Sequence, residues 1–81
     1  MIHYNLAHVY RGIRKIDDAI RHYQSTIEID PNDGAAHRDL GTCLMMKKEM
    51  NQAIRCFQKA IEINPDDSLA YNNIGSALIS L

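Results

Sequence analysis

Four histidines and two cysteines are the residues of this chain best suited to chemistry. His3 and His8 stand five apart, whereas two imidazoles that share a zinc ion from one helix face stand four apart, and His22 and His37 fall in different predicted helices. No metal site is expected from them. Cys43 and Cys56 occupy apolar or semi-apolar positions of helical patterns, where a thiol packs as a small hydrophobe rather than acting as a nucleophile. Their number and spacing match neither a disulfide framework nor a zinc site, which points to a reducing, cytoplasmic compartment. The sequence shows neither a glycine loop that would cradle a phosphate nor a closely spaced carboxylate pair at a strand end. The expectation is a protein that is not an enzyme and needs no cofactor.

The remaining charges read as helix chemistry. Arg11, Arg14 and Lys15, then Lys47 and Lys48, are expected at the ends of helices, where cations complement the negative end of the dipole, and Asp17 and Asp18 are expected to open a helix. Nine Lys/Arg against ten Asp/Glu leave a net charge of −1, so no global field would draw in nucleic acid or an anionic membrane surface. The start of the chain lacks a basic-then-apolar leader, and no apolar stretch approaches the ~20 residues of a membrane span. With 81 residues the chain makes one small domain that buries only about 63% of its extended surface. Its 46% hydrophobic content argues against disorder.

These residues are organised by an internal repeat. Ala19-Ile20-Arg21 returns as Ala53-Ile54-Arg55, and Ile27-Glu28-Ile29-Asp30-Pro31 returns as Ile61-Glu62-Ile63-Asn64-Pro65, at an offset of 34 residues. The apolar spacing inside the repeat is helical, as in Ile20, Tyr23, Ile27 and again in Ile54, Phe57, Ile61. Pro31 and Pro65, each followed by Asn/Asp-rich turn and cap residues, separate the units. A polar, cap-capable run at 14–18 and again at 48–52 divides each unit into two helices. The pattern predicts an all-α fold of five helices near 1–13, 17–29, 34–47, 51–63 and 68–81. They are grouped as units 1–33 and 34–67 and an incomplete unit 68–81.

The register resembles the tetratricopeptide repeat. Its pattern is met by His3, Leu6-Ala7, Tyr10, Ala19, Tyr23, Thr26 and Pro31 in the first unit, by His37, Leu40-Gly41, Leu44, Ala53, Phe57, Ala60 and Pro65 in the second, and by Tyr71, Ile74-Gly75 and Leu78 in the third. Two departures stand out: Arg14 and Lys48 hold the turn position where that family often has Gly, and His3 and His37 hold its bulky, Trp-like point. The resemblance implies a right-handed solenoid of antiparallel helix pairs, an α-α superhelix that binds a peptide or partner segment along a concave groove. The groove would be lined by the first helix of each unit. It would comprise Tyr4, Asn5, His8 and Arg11, then Arg38, Asp39, Thr42 and Met45, then Asn72, Asn73, Ser76 and Ile79. Asn5, Asp39 and Asn73 resemble an asparagine ladder, whose amides donate and accept like a peptide group, with Asp39 able only to accept.

The clamp by which some members of this family grip a chaperone's carboxylate tail is not expected. Its positions here read Tyr4, His8, Asp39, Leu69 and Asn73, with no cation to pair a carboxylate. The chain is therefore expected to serve as a protein-interaction scaffold. Two alternatives stand beside that reading: a regulatory arm of a larger enzyme, or a self-association module that works by helix exchange or stacking of the terminal helices. The apolar last helix, with Ile74, Leu78 and Leu81, motivates the second.

Overall fold

The structure, a computed structural model, describes the backbone of residues 2–80 and the side chains of residues 15–80. Of the groove and terminal residues named above, the side chains of Tyr4, Asn5, His8, Arg11 and Leu81 lie outside the described set. Four α-helices follow one another: α1 (Ile2–Ile29), α2 (Gly34–Met46), α3 (Met50–Ile63) and α4 (Ser68–Ser80), with no strand among the described residues. Helix α2 is central, packing on α1, α3 and α4, and α3 also packs on α4.

The junctions α1–α2 and α3–α4 are built alike. Asp30 and Asn64 each accept from the backbone N–H two residues on (Asn32 at 3.1 Å, Asp66 at 3.2 Å), which shapes the proline turn. Asp33 and Asp67 then cap the following helices, accepting from Ala36 N–H and Ala70 N–H, both at 3.1 Å. The prolines stop one helix and the aspartates start the next. His37, at the bulky point of the register, uses Nε2 to satisfy the Pro31 carbonyl at 2.9 Å, a structural employment for an imidazole.

The fifth helix and the turn expected near residues 14–16 are absent; residues 2–29 form one helix of 28 residues. Arg11, Arg14, Lys15, Asp17 and Asp18, expected at helix ends, consequently fall inside α1. The register explains the difference. Between α2 and α3, Lys48 sits at φ 66°, Lys48 N–H bonds Met45 O at 2.9 Å and Glu49 N–H bonds Leu44 O at 2.9 Å, a left-handed stop that costs a non-glycine residue about 1–2 kcal/mol. Tight packing repays that cost: Gly41 lies so close to Phe57 that an added Cβ would come within 2.7 Å of the ring. The corresponding turn in α1 would need Arg14 at the left-handed position, and its close approach would fall on Ala7, which already carries a Cβ. The strain is the same and the gain smaller, so the helix continues.

The core lies between α2 and α3. Leu40, Leu44, Ala53 and Phe57 form its buried centre, with Ile20, Tyr23, Ile27, Met45, Cys56 and Ile74 packed around it. Phe57, at 0% exposure, is the largest fully enclosed side chain among the described residues, and Ala60 on α3 and Ala70 and Ala77 on α4 are buried small residues of the kind that admit close helix approach.

Candidate functional site

The predicted groove residues that are described all lie on α2 and α4, and the structure ties several of them together. Asp67 is buried at the N-terminus of α4, where its Oδ1 caps the helix. From α2, Arg38 reaches the same carboxylate with Nη1 at 3.4–3.5 Å and donates from Nε to Asp39 at 3.3 Å. Burial opposes the Arg38 charge, but the adjoining Asp39 and Asp67 carboxylates outweigh it and raise its pKa above the usual value. One turn further along, Asn73 Nδ2 donates to Thr42 Oγ1 at 3.2 Å, and Thr42 donates in turn to the Arg38 carbonyl at 3.1 Å.

Two polar links therefore join α2 to α4 and hold the rotamers of Arg38, Thr42 and Asn73. Arg38 serves mainly as a strut, since its guanidinium is engaged on both sides. Asn73 spends an amide proton on Thr42, while no hydrogen bond within the described residues uses its carbonyl oxygen. Met45 packs against the core cluster. Asn72 and Ser76 are exposed, and Ile79 is 89% exposed. Leu69, Asn72, Asn73, Ser76 and Ile79 recur at helical spacing, so α4 presents one stripe in which polar groups are flanked by apolar ends. The ion pair from Arg38 to Asp67 was not visible in the pattern of spacing. Its only signal was the cap position of Asp67, 34 residues after Asp33.

Of the residues expected to aid self-association, Ile74 packs against the core while Leu78 is exposed. The cysteines are free thiols, both half-buried. Burial raises the pKa of each, with Asp39 adding to the rise at Cys43, so neither is primed as a thiolate nucleophile. His22 stacks edge-on against Tyr23 with centroids 5.6 Å apart. Among the described residues no three His, Cys, Asp or Glu side chains come together as a metal site, and no helix is long and apolar enough to cross a membrane.

A family model described as tetratricopeptide repeat matches residues 14–76. No curated protein matches the chain significantly. The matched family consists in general of non-catalytic modules that mediate protein–protein interaction. With most of its length matched and its helices in a 34-residue register, the chain belongs to the tetratricopeptide repeat family.

Proposed function

We propose that this chain is a non-catalytic scaffold that holds an extended segment of a protein partner along the groove face formed by α2 and α4, in a superhelical array of its repeat units. The observation that carries the reading is the fixed polar row of Arg38, Thr42 and Asn73, which leaves the Asn73 carbonyl without a hydrogen bond among the described residues, beside the exposed Asn72 and Ser76 and between the exposed Leu69 and Ile79. A fixed amide at Asn73 suits a peptide backbone, because its ordering entropy is lost before binding, and the apolar ends suit two side chains of the partner. Asp39, already paired with Arg38, favours a segment with a Lys or Arg near that point and disfavours a terminal carboxylate. The free cysteines fit work in the reducing cytoplasm.

The test is a display library of extended peptides panned on the 81-residue chain, followed by titration of the retained binders. Asn72→Ala with Asn73→Ala should weaken them at least tenfold at unchanged helicity, and amidating a peptide's C-terminus should change little. Binders indifferent to both asparagines would refute this face as the site.

A further inference from the structure

We propose that two copies of this chain exchange the first part of α1, residues 3–13 of each packing on the Ala19–Tyr23–Thr26 face of the other. The inference is independent of the groove reading and rests on the backbone of α1 and on the register.

At an offset of 34 residues, Ala53, Phe57 and Ala60 correspond to Ala19, Tyr23 and Thr26. The first three are wholly buried, covered by α2, with Gly41 pressed on the Phe57 ring. Their counterparts on α1 are only half-buried. The segment that stands to residues 19–26 as α2 stands to α3 is residues 3–13, which repeat the His, Leu and small-residue pattern of 37–47. Within one chain that segment cannot reach. Residues 7 and 23, counterparts of Gly41 and Phe57, lie sixteen positions apart on one continuous helix, roughly 24 Å along its axis. A second copy in antiparallel register brings residue 7 of each helix beside residue 23 of the other. The contact is two-fold and self-complementary, and it closes.

Area and geometry agree with this pairing. The chain exposes 5900 Å² where a compact monomer of 9.2 kDa exposes about 4,900 Å², an excess of about 1,000 Å². A stable protein–protein interface takes about 800 Å² from each partner. The pairing also accommodates Ala7: without a short turn to fix the spacing, helices from separate chains can sit slightly further apart than α2 and α3 do at Gly41.

Sedimentation of the whole chain from about 10 to 500 μM should show a dimer of twice 9.2 kDa. Arg14→Gly supplies glycine at the position corresponding to Lys48, lets the hairpin close within one chain and should weaken the dimer at least tenfold without loss of helicity. In a background with Cys43 and Cys56 replaced by Ser, Ala7→Cys with Tyr23→Cys should oxidise to a covalent dimer linked between chains. An intrachain disulfide, a monomer throughout the concentration range, or a dimer abolished by Leu78→Glu and untouched by Arg14→Gly would each overturn the proposal.

Discussion

Alanine placed at Gly41 and at Gly75 makes the same chemical change at corresponding points of the repeat, and the structure assigns the two substitutions opposite signs. In both cases a glycine inside a helix is replaced by the best helix former, a gain of about 1 kcal/mol. At Gly75 a Cβ meets nothing within 4 Å, so most of that gain survives. At Gly41 the Cβ would lie 2.7 and 2.9 Å from Phe57 ring carbons and 3.1 Å from the Ala53 carbonyl oxygen. The ring is fully enclosed and the carbonyl is backbone, so neither yields easily, and overpacking of this kind costs about 1–3 kcal/mol. Net changes of about 0 to −2 kcal/mol for Gly41→Ala and about +0.5 to +1 for Gly75→Ala follow. For a domain of this size, at about 4–8 °C per kcal/mol, the gap of about 0.5–3 kcal/mol corresponds to a difference of up to about 20 °C in melting temperature. Urea and thermal unfolding followed by circular dichroism at fixed protein concentration would read it, with Gly41→Ala/Phe57→Leu as the control that should recover part of the loss. A Gly41→Ala protein as stable as Gly75→Ala would refute the reasoning, because it would mean that α2 does not approach α3 as closely as described.

Three further outcomes are expected. Lys48→Gly should raise stability by about 0.5–1 kcal/mol in urea unfolding, since it relieves the left-handed strain at φ 66°. Asp67→Ala removes the α4 cap and leaves the half-buried Arg38 charge with Asp39 alone, costing about 2 kcal/mol in the same assay; Asp67→Asn keeps a capping side chain and should lose about half as much. Lys47 donates to Asp17 at 2.7 Å; this hydrogen bond together with the Lys47 charge lowers the Asp17 pKa, and the same bond together with the Asp17 charge raises that of Lys47. The pair's contribution is therefore full between the ordinary aspartate and lysine values, fades as pH falls through the lowered Asp17 value, and fades again as pH rises past the raised Lys47 value. An NMR titration of the Asp17 carboxyl that moves to its ordinary midpoint in Lys47→Met would confirm the link; an unchanged midpoint would exclude it.

Much of the helical framework was legible from spacing, because each proline turn carries its own hydrogen-bonding side chains. Asp30 with Asp33 and Asn64 with Asp67 act within three residues, a range that sequence reports directly. The break expected in α1 failed for a reason that local signals do not contain. Lys48 and Arg14 are equally poor at a left-handed position, and the outcome turns on whether residues sixteen positions apart, as Gly41 and Phe57 are, approach closely enough to offset the strain. At the candidate site the residue types on α4 were readable, but their availability was not. That Arg38 is engaged with Asp67 and that Asn73 is half-engaged with Thr42 depends on the separation of α2 and α4, which no spacing encodes.

The Arg38–Asp67 strut has no counterpart at the earlier junction, where the residue 34 positions before Arg38 is Tyr4, although Asp33 caps α2 just as Asp67 caps α4. Among the described residues, neighbouring repeats are thus coupled unequally: α2, α3 and α4 are tied by packing and by a shielded charge pair, whereas the polar link from the described part of α1 to α2 is the surface pair Asp17–Lys47, beside apolar contacts. In a linear array the weakest coupling sets where opening begins. Fraying should start at α1 and stop at α2, so that the face carrying Thr42 and Asn73 outlives the helix that precedes it.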